Sequence, residues 1–346
     1  MSYRSTSAIF AIIKEATFNA GGTFTATDVV EVTSDTALKP EIDAIERKAV
    51  SNSFLQSPKL PGKESGSGTL AVELIPIGNT SNDINGSAIL EVALGSKEVA
   101  GPSSGALIGV SDVAGTVANK IYEVQAGETG TAVLYKLNKP CGGQESLSVK
   151  QFLGCDSTDS EVITYTGIVP NSVTFDFPVA DIATVSFDTG AAGFNTTSGE
   201  AILPSVYISA NPYVGKNAKF TVDNMNYEAK DLQFSIENTV SDREALTSSG
   251  ITNKTVTAKM VKGSLTVTFE NYDELNKFKN STDAAVYLEM NSTDGANSYT
   301  FAIYLPRVRY TSVSIEDDDG VLANKIEFEG YEDSAGEALL IAHQKV

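Results

Sequence analysis

An internal repeat of alternating strands is the feature that most constrains the fold of this sequence. Gly68–Leu74 resembles Gly263–Phe269, and further along the chain Tyr165–Pro170 resembles Phe301–Pro306. Each match has a glycine or a proline at the same point, and an alternating strand follows each proline. Short strands resemble one another by chance, but two matches in the same order favour a module that occurs twice.

The spacing of the repeat predicts where the two copies differ. Val185–Asp188 matches Ile326–Glu329, which extends the repeat, but the first copy is longer between its two anchors by about 59 residues. This extra segment is Gly95–Asp159, with three strand-like runs and both cysteines. We predict a β-rich insertion at a surface hairpin, dispensable for folding. The boundary is placed near Glu200, which gives a first module at 1–200 and a second at 201–346.

Alternation of apolar and polar residues through most of the chain predicts a mainly β protein. Turn clusters rich in Gly, Asp and Ser separate the runs. Glu41–Val50 fits either a strand or a helix. Besides the repeated segments, the predicted strands are Asp28–Thr33, Ser87–Leu94, Ile121–Gln125, Ala132–Leu137, Ser146–Phe152, Ser172–Phe177, Ala183–Asp188, Lys219–Val222, Leu232–Ile236, Ala284–Glu289, Ser298–Tyr304, Tyr310–Ile315 and Lys325–Phe328.

One segment, Tyr272–Asn280, has the pattern of a helix. Asn271 is placed to cap it, and Glu274 stands three residues later in the capping-box position. Leu275 and Phe278 are spaced to lie on one face. We therefore predict a helix that covers a sheet with these two side chains.

The charge of the chain bears on its partners. Lys and Arg number 25 and Asp and Glu 44, which gives a net charge of −19 and a pI near 4.4. A negative field repels phosphate, so sequence-specific binding of DNA or RNA is not expected. Hydrophobic residues make up 41% of the chain, enough for a globular core.

The sequence offers little for catalysis or for metal binding. The single histidine, His343, is near the C-terminus, where we expect a frayed tail and no catalytic relay. Cys141 and Cys155 are too few for a thiolate metal site or a disulfide framework, and are read as thiols in a reducing cytoplasm. Without tryptophan there is no evident sugar platform. We predict no enzyme activity, cofactor, metal or small-molecule substrate.

The remaining motifs have plain interpretations. Asp317–Gly320 lacks the ligand spacing of a calcium loop and is predicted to be a solvated turn. The sequons Asn195–Thr197 and Asn253–Thr255 are predicted to be polar loops. The short apolar run Ala8–Ile13 does not have the form of a signal peptide, and no run of eighteen apolar residues predicts a membrane span.

The sequence resembles bacteriophage major tail tube proteins. The resemblance covers most of both halves and depends on hydrophobic patterns, not on invariant catalytic residues. The segments that carry it are the strand after Gly66–Gly68, the helix Tyr272–Asn280 between two strands, Tyr165–Gly167 leading into Ser172–Phe175, and the closing pattern from Ile303–Pro306 to Phe328–Gly330.

The resemblance implies a fold, an assembly and a function. Each module would be a β-sandwich with at most one flanking helix, and six modules would form a ring. A chain with two tandem modules would then form homotrimeric, pseudo-hexameric rings that stack into a tube for genome passage. The implied partners are other copies, other tail proteins and DNA in transient, non-specific passage, with no membrane. The implied location is the virion tail, after synthesis in the bacterial cytoplasm.

Alternation in the repeated strands also predicts a lumenal face. If the apolar residues point to the core, Ala71, Glu73, Thr266 and Thr268 lie on the opposite face, which we expect to line the channel. A wall of the same sign as DNA would repel it at short range, within a Debye length of about 8 Å. Arg307 and Arg309 are interpreted as forming salt bridges between rings.

Two other classes of protein remain as alternatives. A viral or bacterial surface binding module, such as an adhesin or a receptor-binding β-sandwich protein, would explain the β content and the acidity equally well. It would not explain a duplication with one expanded copy. A secretion-system tube protein would share the architecture but usually has one module per chain.

Overall fold

The computed structural model describes most of the chain. The described residues are 9–46, 59–77, 83–100, 108–111, 117–122, 132–137, 145–154, 160–204, 208, 210–216, 218–223, 225–245, 250–295, 297–318, 320–334 and 336–345. Cys141 and Cys155 lie outside them. Within these ranges no helix is long and apolar enough to cross a membrane.

The described part of the chain is mainly β, as predicted. In the first half the elements are β1 (Ile9–Lys14), β2 (Val29–Val30), β3 (Ala37–Ile45), β4 (Leu60–Glu73), α1 (Ser87–Leu94), β5 (Lys97–Ala100), β6 (Ile108–Ser111), β7 (Val117–Tyr122), β8 (Ala132–Lys136), β9 (Leu147–Leu153), β10 (Ser160–Pro178), β11 (Thr184–Ala191) and β12 (Gly193–Glu200). In the second half they are β13 (Lys219–Val222), β14 (Met225–Asn226), β15 (Ala229–Glu244), β16 (Ile251–Thr268), α2 (Asp273–Asn280), β17 (Ala284–Asp294), β18 (Asn297–Asp318), β19 (Val321–Gly330) and β20 (Leu340–Lys345).

Eight antiparallel strands form a central sheet that runs through both halves of the chain. Its order is β3, β4, β11, β10, β15, β16, β19 and β18. The halves meet where β10 pairs with β15, with Phe175 opposite Phe234. The rings of these two residues stack at 4.6 Å. We call this junction the seam.

Two side sheets flank the central sheet, and the long strands β10 and β18 take part in both layers. The first side sheet has the order β2, β1, β9, β10, β12. The second has the order β14, β13, β17, β18, β20, β8, β5. Apolar side chains from the central sheet and the side sheets form one continuous core cluster that spans both halves.

Seven strand pairings of the first half have counterparts in the second. The first-half pairs are β1–β2, β1–β9, β3–β4, β4–β11, β9–β10, β10–β11 and β10–β12. The counterparts are β13–β14, β13–β17, β15–β16, β16–β19, β17–β18, β18–β19 and β18–β20. The registers differ in detail, since Leu70 pairs with Phe187 whereas Leu265 pairs with Ile326.

The prediction that Ser87–Leu94 is a strand was wrong, because this segment is α1. Five of its eight residues are buried, Ile89, Leu90, Val92, Ala93 and Leu94. A short helix that is apolar on nearly all sides has no amphipathic period, so alternation alone cannot distinguish it from a buried strand. The available signal was the glycine after it, Gly95, which adopts a left-handed C-cap with φ of 88°.

Helix α2 begins one residue after its predicted start, with Tyr272 instead of Asn271 at the N-cap, and it does not make its predicted contacts. Glu274 is its buried residue, and Phe278 is 38% exposed instead of covering a sheet. Asn271 accepts a hydrogen bond from the N–H of Asp273, while the Glu274 side chain accepts from the hydroxyls of Tyr227 and Tyr310 and takes no part in a capping box. A buried carboxylate therefore anchors this helix, whereas apolar packing anchors α1.

The predicted insertion Gly95–Asp159 is not a peripheral hairpin. Strand β9 within it is the central strand of the first side sheet. Strand β8 joins the second side sheet beside β20, and its residues Ala132–Tyr135 are buried. Since these strands form part of the core, the expectation that the segment is dispensable was wrong. The elements without counterparts in the second half are β5 to β8.

The C-terminus is also more ordered than expected. Strand β20 lies between β18 and β8, and His343 is completely buried in it. The imidazole stacks on Tyr299 at 5.9 Å and meets Tyr213 edge-on at 6.1 Å. The predicted frayed tail was therefore wrong, and His343 is a core residue of the second side sheet.

Candidate functional site

One face of the central sheet is apolar and buried, and the opposite face is polar. Among the residues predicted to line a channel, Glu73, Thr266 and Thr268 are partly exposed on this polar face, and Ala71 is 6% exposed. Ala71 is covered because its backbone binds Thr33 and Thr36 of the preceding loop. Burial alternates as predicted at Glu73, Thr266 and Thr268 but not at Ala71. That this face lines a channel stays a prediction.

Acidic residues dominate the polar face. Each member of this set alternates with buried neighbours along its strand: the acids Glu73, Asp176, Asp188, Glu237, Glu327 and Glu329, and the lysines Lys262 and Lys325. Both lysines are neutralised locally, Lys262 by Glu237 at 2.8 Å and Lys325 by Glu316 at 2.6 Å. The face therefore presents hydroxyls, ion pairs and excess carboxylates, a surface with little affinity for phosphate.

Carboxylates are crowded at one end of the seam. Asp176 on β10 and Asp231 on β15 have raised pKa values, in both cases mainly because burial disfavours the charged form. The charge of Asp181 adds to the pKa shift of Asp176, and the charge of Asp176 adds to that of Asp231. In the described part of the chain, no group of His, Cys, Asp and Glu residues has the arrangement of a metal site.

The central sheet has two open edges. At one end, β3 pairs only with β4 among the described strands. At the other end, the C-terminal part of β18 (309–318) pairs with β19 and has a free second side within the described residues. Open strand edges carry unpaired N–H and C=O groups that can pair with another chain. These edges are where a second copy could extend the sheet.

The two hairpins that extend from the central sheet have different surroundings. The distal part of β15–β16 (237–245 and 250–260), here called the seated hairpin, lies against the first half. Its residues Ile251 and Val256 are 3% and 2% exposed. The distal part of β3–β4 (41–46 and 59–64), here called the uncovered hairpin, exposes Ile42, Ile45 and Leu60, each by 50% or more.

Two polar side chains of the seated hairpin bind the C-terminal end of α1. The Lys259 ammonium donates to the carbonyls of Ala93 and Leu94 at 3.2 and 2.8 Å. The Asn238 amide donates to the carbonyl of Pro170 at 3.0 Å and to that of Ala93 at 3.5 Å. Burial lowers the pKa of Lys259 to about 8. Sequence reasoning missed this contact because nothing in the sequence places Lys259 beside a helix.

Further ion pairs connect the seated hairpin to the first half. Lys63 of β4 lies 2.8 Å from Glu244 of β15. Lys254 is buried and bonds to Asp242 at 3.0 Å within the hairpin. Together with the Lys259 contact, the bond between Lys63 and Glu244 fixes the position of one half of the chain relative to the other.

Arg307 and Arg309 form salt bridges within the chain. Both guanidinium groups bind Asp283, at 2.6 and 2.7 Å. Partial desolvation would raise the pKa of Asp283, but the hydrogen bonds from Arg309 and Arg307 outweigh it and lower the pKa. Arg309 also lies over the ring of Tyr331. The interpretation that this arginine pair joins separate rings is therefore replaced by a role in fixing the start of the open β18 edge.

Glu15 stabilises the bend where β10 passes from the side sheet to the central sheet. Its buried carboxylate accepts hydrogen bonds from the hydroxyls of Ser146 and Ser148 and from the N–H groups of Asn19 and Gly167. Gly167 has φ of 63°, and a Cβ there would lie 2.6 Å from Ala192. The Tyr165-Thr166-Gly167 segment singled out from the sequence is therefore this bend.

One comparison with known proteins identifies a family for this chain. Residues 5–330 match the model of a family described as phage tail tube protein. No curated protein gives a significant match. Among solved structures, the crystal structure of the P. putida toluene transporter TodX aligns over 98% of this chain and 86% of its own, at 10% identity and a TM-score of 0.09, which carries no argument about the fold. The family match favours the tail tube interpretation over an adhesin or a secretion-system protein.

Proposed function

Because this chain belongs to the phage tail tube protein family, with a structural role in the virion tail, we propose that it is the repeating ring subunit of the tube. Three copies form each ring, and the polar face of the central sheet lines the channel. The observation that carries this proposal is the eight-stranded central sheet with one internal seam and two open edges.

The repeated pairings support two tandem β-sandwich modules that arose by duplication, with a boundary near Glu200. In the repeat, β3 corresponds to β15 and β18 corresponds to β10. The open β18 edge of one copy can therefore pair with the open β3 edge of the next copy and form a second seam. Pairing them repeats between chains the contact that β10 and β15 make within one chain. A ring of three chains and six modules then has no open edge in its central sheet.

The internal seam predicts the register between chains. Phe175 pairs with Phe234, and Ser172 with Glu237. The sequence match of Val185–Asp188 to Ile326–Glu329, carried across the pairings of β10 with β11 and of β18 with β19, aligns Phe175 with Val313 and Ser172 with Arg309. The counterparts of Phe234 and Glu237 on β3 are Leu38 and Glu41. Val313 of one chain would lie beside Leu38 of the next, and Arg309 beside Glu41, a pair of opposite charge.

The polar face supports the function in genome passage. In the ring its carboxylates, among them Glu73, face a duplex that carries one negative charge per roughly 1.7 Å of axis. The residual repulsion extends about 8 Å at physiological salt, so it acts only close to the wall, where it keeps the DNA from binding to the channel surface. This face therefore conducts DNA non-specifically and needs no catalytic group, cofactor or metal.

A cysteine pair tests both the register and the stoichiometry. Cys141 and Cys155 are first replaced by serine, and Leu38→Cys and Val313→Cys are then combined in one chain. Paired strands bring Cβ atoms within about 4.5–5.5 Å, close enough for a disulfide. After oxidation of assembled protein, a non-reducing gel should show covalent species that end at three chains. Each single-cysteine variant is the control.

Three outcomes would overturn the proposal. Covalent species that end at six chains would show one module per ring position. Rings that form without cross-links would show that other edges meet. The third outcome is a chain that remains a monomer by native mass spectrometry under all assembly conditions and shows no rings in negative-stain images. The chain would still belong to the family, but it would not assemble into the proposed rings.

A further inference from the structure

The two helices end with the same backbone geometry but with different charges. Gly95 and Ser281 are left-handed C-caps with φ of 88° and 51°. The last turn of α1 contains no basic residue, whereas the last turn of α2 contains Lys277 and Lys279. The C-terminal end of a helix is electronegative and is stabilised by a nearby cation. Helix α2 provides that cation itself, and α1 receives it from Lys259 of the other half.

The uncovered hairpin carries different residues at the two positions that bind α1. In the seated hairpin, Asn238 pairs across the strands with Lys259. In the uncovered hairpin the corresponding cross-strand pair is Ile42 and Glu64. The correspondence follows from Gly263 and Gly68, the matched glycines of the repeat, which pair with Phe234 and Leu38. The uncovered hairpin therefore has the acid Glu64 at the position of Lys259, and the apolar residue Ile42 at the position of Asn238.

The end of α2 has complementary properties. Lys279 is exposed, as is Glu64, and the described residues show neither of them in an ion pair. Phe278 is 38% exposed and Ile42 54%. The position of Phe278 corresponds to that of Val92, which is 1% exposed in α1. An acid and an apolar side chain on the hairpin thus match a lysine and an aromatic ring on the helix.

We infer that the C-terminal end of α2 is the docking site for the uncovered hairpin of a second copy of this chain, with Glu64 paired to Lys279 and Ile42 packed on Phe278. The inference rests on the proposed ring and identifies the contact outside its central sheet. The opposite charges of Glu64 and Lys259 at corresponding positions also determine which hairpin can bind α2. A seated hairpin that approached α2 would bring Lys259 against Lys279, so like-charge repulsion disfavours joining two second halves.

A charge-swap experiment tests the pair. Glu64→Lys, Lys279→Glu and the double variant are compared with the unchanged chain by sedimentation of assembled rings over a range of protein concentrations. Each single change should raise the concentration for half-maximal assembly by about fivefold, in line with the upper range for exposed ion pairs. In the double variant, the concentration for half-maximal assembly should return to within about twofold of that of the unchanged chain. Lys216→Glu, an equal change at another exposed site, should have no effect.

A second measurement tests the apolar contact and separates this inference from the ring itself. In the chain without native cysteines, Ile42→Cys combined with Phe278→Cys should form disulfides between chains and none within a chain. If the unchanged chain forms trimeric rings but the charge variants behave like Lys216→Glu, or if this disulfide does not form, the docking site is wrong and the ring stands. If the unchanged chain forms no rings, the proposed function itself is wrong.

Discussion

The seated and uncovered hairpins are counterparts in the repeat, yet one is buried and the other is open. Ile251 and Val256 of the seated hairpin are almost inaccessible, whereas Ile42 and Ile45 of the uncovered hairpin are each 54% exposed. Both hairpins carry apolar residues, so hydrophobicity does not distinguish them. The difference is that the first half of the chain covers the apolar side chains of the seated hairpin, whereas the uncovered hairpin meets the second half through Lys63, which pairs with Glu244, and leaves Ile42 and Ile45 exposed. In the proposed ring, each chain contains one completed seam, between β10 and β15, and provides the two open edges, β3 and β18, from which seams between chains form.

The largest expected effect concerns the centre of the seam. Phe234 is 1% exposed and stacks on Phe175, so Phe234→Ala should lower the free energy of unfolding by about 3–5 kcal/mol. Its counterpart Leu38 lies on an open edge, and Leu38→Ala should cost the isolated chain about 1 kcal/mol. Urea unfolding of unassembled protein measures both. Equal losses would contradict the claim that only one seam is complete.

The sequence predicted the strands more reliably than their surroundings. The segments around Val173 and Leu265 alternate strictly, and each is a strand with its apolar side chains buried. This succeeds because a sheet with one buried face imposes a period of two. The same reasoning failed for α1, which is apolar on nearly all sides and so carries no period.

Features set by contacts distant in sequence could not be predicted. Proximity to the C-terminus suggested that His343 would be mobile, but β8 pairs with β20 from more than 200 residues away and buries it. For the same reason Gly95–Asp159 was interpreted as peripheral. Lys259 and Glu64 are ordinary charged residues in the sequence. The importance of Lys259 comes from the end of α1, where the fold places it. The proposed role of Glu64 follows from its correspondence to Lys259 in the strand pairings.

A smaller effect should separate the two hairpins themselves. Ile251→Ala removes a buried side chain from the seated hairpin and should lower the free energy of unfolding by about 2–4 kcal/mol. Ile45→Ala on the uncovered hairpin should change it by less than about 0.5 kcal/mol in the isolated chain. Thermal unfolding at low protein concentration provides the measurement. A loss of comparable size at Ile45 would mean that this hairpin is already covered in the monomer.

The smallest expected effect is a pH dependence at the α1 contact. Burial lowers the pKa of Lys259 from 10.5 to about 8. Below pH 8 both the folded and the unfolded chain hold this proton, so stability does not change on its account. Between pH 8 and 10.5 the unfolded chain still holds the proton while the folded chain has lost it, and the folded state therefore gains stability as the pH rises.

Replacement of Lys259 by methionine should abolish that gain. The difference in unfolding free energy between the unchanged chain and Lys259→Met should grow in favour of the unchanged chain by roughly 1–3 kcal/mol across this window. Other lysines and tyrosines titrate in the same range, but they contribute equally to both proteins and cancel in the difference. Glu64→Met on the uncovered hairpin is the matched control and should show no such window. Parallel curves for Lys259→Met and the unchanged chain from pH 8 to 10.5 would mean that Lys259 is solvated at the end of α1, and the seated hairpin would then be held by its apolar contacts alone.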